Sequence, residues 1–430
     1  MRDHPARPGE DRAELRRHAG DALSRSRRPA AQRAAAGVAR ARVRRQTRVR
    51  LSRNVVILGV VSLLADVSSD MVVPLLPAFV ISLGGGAAFV GAIEGAAEAT
   101  AALLKYLSGG WADKARRLLP LAVIGYALAG LARPFLAVAR APWQVLLVRN
   151  IDRVGKGVRT SPRDKLLAGS VEEGRLAEAF AFHRGMDNAG AAVGPLVAAG
   201  LLLLWPGDLR RVFLFAAIPG ALAVLALFAV REEEAPRSEE PAAEDHLHGA
   251  RVPPRLLAAI ALFTLGNSTD ALLVLRAQSV GVATVHLPVL WSLLNVTRAV
   301  LSWPAGRAAD KLGRRRTLAA GWLWYALCYA GFALASAPWH AWALFAAYGL
   351  VAALSEGTER ALIAAAVGKE RRGRALGLYN LISGAGLLVA SVVAGVIWER
   401  ASPAAALLTG AALAAVAAAL LVAGSARQAA

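Results

Sequence analysis

One cysteine, Cys328, stands in 430 residues, so no disulfide can form within the chain and the thiol reads as a small core residue. Charge is scarce as well. Asp, Glu, Lys and Arg make up 19% of the sequence against 56% hydrophobic residues, too apolar a balance for a soluble enzyme of ordinary composition. Phosphate-loop chemistry is missing: Gly155-Lys156-Gly157 lacks the Gly-x-x-x-x-Gly-Lys-[Ser/Thr] spacing, has no strand ahead of it, and no nucleotide-binding domain accompanies it. Metal-ligand clusters are missing too, since His246 and His248 form a pair without thiolates or a fixed scaffold and read as solvated loop residues. Neither an enzyme nor a bound cofactor or metal is expected.

Apolar length fills the space. Stretches long enough to cross a bilayer run over 54–83, 87–111, 118–139, 142–166, 177–204 and 210–230, then over 255–281, 286–309, 316–336, 339–367, 372–398 and 402–425. Each exceeds the roughly 17 to 20 residues that a helix needs to span the hydrocarbon. They predict an all-α membrane protein with twelve transmembrane helices in two sets of six.

Acidic residues are also few, 30 against 50 Lys and Arg, for a net charge of +20. In a soluble chain this would suggest nucleic acid, but the distribution points to a membrane. Residues 1–53 hold 16 arginines and 5 acidic residues, with no apolar core or cleavage site of a signal peptide. They read as a disordered cytoplasmic tail resting on anionic lipid, or as an over-extended start, and nucleic acid is not an expected partner. Residues 231–254 carry Glu232, Glu233, Glu234, Glu239, Glu240, Glu244 and Asp245 among prolines, the composition of a flexible linker. The expected domains are therefore the tail 1–53, a bundle 54–230, the linker 231–254, a bundle 255–425 and a short tail 426–430. The basic short loops Asp113 to Arg117, Arg163 to Lys165, Lys311 to Arg316 and Lys369 to Arg374 fall on one side, and the loops Leu83 to Ala87 and Gly281 to His286 on the other have almost no Lys or Arg. By the positive-inside rule both termini lie in the cytoplasm.

The two halves repeat. Gly109-x-x-x-Asp113-Lys114-x-Arg116-Arg117 recurs as Gly306-x-x-x-Asp310-Lys311-x-Gly313-Arg314-Arg315, and the two aspartates are 197 positions apart. Ala141-Pro142-Trp143 recurs as Ala337-Pro338-Trp339, Gly174-Arg175 as Gly373-Arg374, and Ser68-Ser69-Asp70 as Ser268-Thr269-Asp270. Paired repeats meeting at the bilayer midplane are an architecture of alternating-access transporters.

With two six-span halves, an acidic linker and this Gly-x-x-x-Asp-[Arg/Lys]-x-Gly-Arg-Arg motif, the chain resembles the major facilitator superfamily over about 54–425. The resemblance implies two pseudo-symmetric six-helix bundles, and a charge latch between the halves at the cytoplasmic face in which the motif aspartate caps a facing helix. Arg116 replaces the second glycine in the first copy, so the N-terminal turn departs from the pattern. In the fifth span, Gly190-x-x-x-Gly194-Pro195 is similar to the family's antiporter motif, with Ala198 and Ala199 in place of later glycines; close helix packing explains the same glycines equally well. In the fourth span, Arg149-Asn150-Ile151-Asp152-Arg153 leads into Val154-Gly155-Lys156-Gly157-Val158-Arg159. With Asp66 to Asp70 and Ile93-Glu94-Gly95, this segment resembles bacterial permeases labelled generically as efflux proteins, which implies a bacterial inner-membrane setting.

Ionisable side chains at membrane depth cost about 2.5 to 3.5 kcal/mol each on insertion scales, so each is a functional candidate. Asp66 and Asp70 share a face of the first span, and Glu94 and Glu98 a face of the second, where Glu98 and Lys105 can pair. Arg149, Asp152, Arg153 and Lys156 form one stripe on the fourth span, and His183 and Asp187, with Arg184 between them, stand on the fifth. In the second half the candidates are Asn267, Asp270, Asn295, Arg298, Glu356, Glu359, Arg360 and Asn380. Arg153, Lys156, Arg159 and Arg163 also approach the helix end, where long cations snorkel. The expectation is a proton-coupled exporter of a small organic molecule, monomeric in the bilayer, with carboxylates carrying the proton and Arg149 tuning them. Uptake or exchange of an anionic metabolite clamped by Arg149 and Arg153 is the alternative, and a non-transporting receptor or scaffold the reading from another class. Free arginines favour the anion; partnered arginines with accessible acids favour the proton.

Overall fold

The computed structural model describes residues 52–172, 175–232, 252–367 and 372–426. Nearly all of the N-terminal tail, most of the linker with His246 and His248, the loop from 368 to 371, and Gly174 lie outside the described residues.

The helices follow the expected spans within a few residues. Span 1 is Arg53–Asp70, a 3-10 turn Val73–Leu75 and Leu76–Ser82; span 2 is Ala87–Lys114; span 3 is Leu119–Ala132, continued as a 3-10 helix Arg133–Val138. Span 4 is Pro142–Gly169, span 5 Leu176–Leu204, and span 6 Leu209–Phe215 with Ala217–Leu227. The second half repeats the plan with span 7 in two pieces, Pro254–Gly266 and Asp270–Ser279, then Leu287–Leu312, Arg314–Leu334, Pro338–Ala365, Arg372–Arg400 and Pro403–Ala426 as spans 8 to 12. Ten of them are long and apolar enough to count as membrane-crossing on composition alone. The other two are spans 4 and 10, the symmetry-related pair that carries much of the charge inside each half.

The duplication extends to hydrogen bonds. Spans 4 and 10 both open with Ala-Pro-Trp, with proline in the first helical turn, where its missing N–H costs nothing. Three residues past the cap, the Gln144 carbonyl accepts from the N–H of Arg140 at 2.6 Å and of Ala141 at 3.2 Å. His340 Nδ1 does the same for Ser336 at 3.2 Å and Ala337 at 3.1 Å. Each repeat thus ties off two orphan donors at the same place.

Where span 7 unwinds between Gly266 and Asp270, the exposed backbone must find partners, because no water in the hydrocarbon would supply them. Tyr325 donates to the Gly266 carbonyl at 2.9 Å, Tyr329 to that of Ser268 at 3.1 Å, and the Thr269 N–H reaches Ser391 Oγ at 3.0 Å. These tyrosines belong to the aromatic core of the second bundle, with Trp322, Phe332 and Phe345.

The bundles meet along span 2 against span 11 and span 5 against span 8. The first contact is close: a Cβ on Gly91 would lie 2.2 Å from the Ser391 carbonyl oxygen, so only glycine fits. At the end away from the basic loops, Met71, Val72, Leu75, Leu76 and Phe79 of span 1 share one buried cluster with Ala271, Leu272 and Leu275 of span 7. At the basic end, span 4 packs on spans 2, 3 and 5 of its own bundle and span 10 on spans 8, 9 and 11 of the other. The two bundles are therefore packed together at the far end.

Candidate functional site

The stripe on span 4 divides into two environments. Nearer the far end, Asp152 accepts through Oδ1 from Arg133 Nε at 3.0 Å and through Oδ2 from Arg149 Nη1 at 3.0 Å. Arg149 also grips both Glu94 oxygens, Nε at 2.8 Å and Nη2 at 2.9 Å. Arg133 Nη1 donates to Ser68 Oγ at 2.6 Å, and Ser68 donates to the Ala216 carbonyl at 2.6 Å. Two acids and two guanidiniums, all buried, form a neutral network joining spans 1, 2, 3, 4 and 6. Its geometry leaves Arg149 no free face for a ligand. Arg133 is absent from the sequence-based candidates; its signal is a single charge, beside Pro134, inside an otherwise apolar stretch.

One turn further along, compensation fails. Arg153 is 5% exposed, and among the described residues its Nε and Nη1 have no hydrogen-bond partner. Its Nη2 lies 3.5 Å from Glu98 Oε1, beyond good hydrogen-bond distance. Lys105 and Lys156 stand in the field of Glu98 and Arg153, and among the described residues neither makes an ion pair. The expected Glu98–Lys105 pair is thus replaced by a weak Glu98–Arg153 contact. Arg159 lies over the Tyr126 ring, 4.0 Å from its centroid, and Arg163 pairs with Asp164 at 2.7 Å.

A third group joins spans 1 and 5. Asp187 accepts from Ser62, with His183 Nδ1 at 3.6 Å and Arg184 Nη1 at 3.9 Å. Asp66 faces it without a direct ion pair or hydrogen bond among the described residues, in the longer-range field of Lys156, Arg159 and Arg163. The helices come this close because Gly190 and Gly194 pack on span 1: a Cβ on Gly190 would lie 2.5 Å from the Leu63 carbonyl oxygen, and one on Gly194 2.5 Å from that of Val67. These glycines do what the packing alternative requires, with Pro195 buried beside them in the same helix. Asp70 crosses to the other bundle and accepts from Trp291 Nε1 at 2.9 Å.

In the second half, Asp270 accepts from the Tyr348 hydroxyl at 2.8 Å and lies 3.7 Å from Arg298, which is 3.9 Å from Glu356. Buried Glu359 accepts from Trp322 Nε1 at 3.0 Å and the Tyr379 hydroxyl at 2.5 Å. Arg360 is exposed, and Asn295 donates to the Ala191 carbonyl of span 5 at 3.2 Å. Asn267 and Asn380 are half-buried.

The repeated loop motif sits at the basic end. Asp113 pairs with Lys165 of span 4, within its own bundle, and its neighbours Lys114 and Arg117 are exposed. Asp310, Lys311 and Arg314 are exposed, Arg315 is half-buried, and Gly306 and Gly109 have open space where a side chain would stand. Among the described residues no ion pair joins Asp113 or Asp310 to the other copy of the motif. Gly313 takes φ +90°, the left-handed conformation that its place after span 8 demands. In the other copy Ala115 turns the chain in an extended conformation, so Arg116 imposes no strain there.

A profile of the Major Facilitator Superfamily matches residues 58–294 and 256–428. The chain belongs to this superfamily. An uncharacterized MFS-type transporter of Methanocaldococcus jannaschii is 31% identical over 379 residues, covering 86% of this chain and 95% of that protein. An uncharacterized protein of Mycobacterium tuberculosis is 32% identical over 260 residues, 60% of this chain and 63% of its own length. Among solved structures, the nucleoside transporter NupG superposes with a TM-score of 0.72 at 15% identity, covering 86% of this chain and 99% of the transporter. A bacterial homolog of the human lysosomal transporter Spinster gives 0.71 at 15% identity, covering 88% and 97%. At such identity these structures share the fold. As a member of the superfamily the chain is a multi-pass membrane transporter of small molecules, not an enzyme.

Proposed function

We propose that this carrier couples movement of a small organic solute to protons, with Asp66 and Asp187 as the proton-binding pair and the basic end in the cytoplasm. One observation carries the reading: Asp66 lies deep in span 1, faces a second carboxylate, and among the described residues lacks the direct ion pair or hydrogen bond that satisfies Glu94, Asp152, Asp70 and Asp270, with Lys156, Arg159 and Arg163 acting on it only at longer range. Two carboxylates facing each other away from bulk water can hold one proton between them. The pair sits where span 1 packs on span 5, and span 5 also touches span 8 of the other bundle. Protonation there bears on the element that must move when the bundles rock.

The charge of the solute sets the sense of coupling. A cationic solute competes with the proton for Asp66 and is exchanged for it, which gives the export implied by the sequence resemblance. An anionic solute favours protonation, by linkage, and travels with the proton.

Purified protein in liposomes loaded with a pH-sensitive dye, challenged with cationic, neutral and anionic compounds, tests this. Solute-dependent proton movement that disappears in Asp66→Asn is the expected result. Solute flux with no proton movement in the parent protein refutes the coupling.

A further inference from the structure

We infer that the solute is a small organic anion, bound by Arg153 with Lys105 and Lys156 and bridged to Arg360 of span 10 when the basic end closes. The inference rests on the transport reading above and names the substrate class of that cavity.

Arg153 lacks hydrogen-bond partners among the described residues. A buried guanidinium offers five donors in a fixed fork that matches a carboxylate or phosphate. Arg133 and Arg149, its neighbours in the network, spend theirs on carboxylates and a hydroxyl at 2.6–3.0 Å. Arg153 has two buried nitrogens with nothing to donate to, and its nearest carboxylate stays 3.5 Å away. Burial of an uncompensated cation is costly, so the arrangement is that of a site short of its ligand.

Glu98 acts as the stand-in. Its side chain is 38% exposed while that of Arg153 is 6% exposed, so the carboxylate can swing into the opening and leave the guanidinium in place. An arriving anion then takes over the fork, and Lys105 and Lys156, both in the field of Arg153, add their charge. On the wall of spans 2 and 4 these three cations face one displaceable carboxylate, and Asp66 of span 1 also stands in the field of Lys156.

The other wall carries mixed charge, with Glu356 and Glu359 beside Arg360 on span 10. Arg360 of span 10 is exposed, and Lys105 lies within its field. Bringing span 10 toward span 4 drives Arg360 toward Lys105, and an anion between these two cations turns their repulsion into a bridge. The bound anion stabilises the closed basic end relative to the open one, and such differential affinity is what a ligand needs to shift a conformational equilibrium. Neutral or cationic solutes lack it. With the proton pair on spans 1 and 5, an anion here favours proton uptake, so proton and solute move in the same direction.

The test needs no knowledge of the natural solute. Spin labels at Gly169→Cys and Ala365→Cys, in a Cys328→Ser background, report the distance between the basic ends of spans 4 and 10 by pulsed electron resonance in phosphatidylcholine nanodiscs. The expected parent distribution is wide without added anion and shifts to shorter distances with succinate or inorganic phosphate, but not with tetraethylammonium. Arg153→Gln with Lys156→Gln should populate the short distances without any anion and lose the response. An unchanged distribution in the double variant overturns the proposal whatever the probes do. A response in phosphatidylglycerol discs without free dianion, and none to the soluble probes, overturns it in favour of a lipid headgroup. Failure of the proton reading is separate: Asp66→Asn would then leave proton movement untouched, while the charge dependence of the distances stands.

Discussion

Replacing Glu94 by alanine should destabilise this protein more than most single changes, through charge balance more than lost packing. Glu94 accepts two bonds from Arg149, at 2.8 and 2.9 Å, and both residues are buried. Without it, Arg149 and Arg133 share Asp152 alone, and the neutral cluster becomes a buried net cation. Breaking a buried pair by deleting one partner costs about 3–5 kcal/mol. Arg149→Met alone should cost a similar amount, since Glu94 then has no counter-ion. Combined, Glu94→Ala and Arg149→Met leave the neutral Arg133–Asp152 pair, so the double variant should recover about 2–3 kcal/mol relative to the sum of the singles. Urea or detergent denaturation followed by circular dichroism would supply the cycle. Additive single effects would show that the four groups do not act as one unit.

Other consequences concern contacts between the bundles and the start of span 3. Trp291→Phe removes the bond to Asp70 across the far end, about 1 kcal/mol or about a fivefold shift toward opening there; faster labelling of a cysteine placed at buried Leu76 would report it. Gly91→Leu should abolish a monodisperse fold, because even a Cβ meets the Ser391 carbonyl, whereas Gly110→Leu, with open space around it, should be tolerated; size-exclusion profiles distinguish the two. Glu232→Ala removes the carboxylate that accepts from the Leu118 and Leu119 N–H groups at the start of span 3, and a loss of about 1 kcal/mol should appear as a lower Tm.

The architecture is legible in the sequence because bilayer thickness sets helix length and because the duplicated Ala-Pro-Trp starts make the same cap twice. The charged stripe on span 4 was readable as a stripe, but periodicity along one helix carries no information about which neighbour approaches which turn. Arg149 and Asp152 face spans 2 and 3 and are consumed by Glu94 and Arg133; Arg153 and Lys156, a turn later, are not. Arg133 was missed because one charge in an apolar stretch looks like a blemish until its partner is known. The glycines of span 5 carried two meanings in sequence, and their contact with Leu63 and Val67 gives the packing meaning a physical basis. Asp66 and Asp187 stand far apart in the chain, and only the approach of spans 1 and 5 puts them face to face.

The central claim is that Asp66 couples solute to proton. With a transported solute in hand, the decisive comparison is parent protein against Asp66→Asn in proteoliposomes, under an imposed pH gradient and under solute exchange at equal pH. The expected variant still exchanges solute but no longer accumulates it against a gradient. Gradient-driven accumulation by Asp66→Asn at the parent rate would contradict the claim.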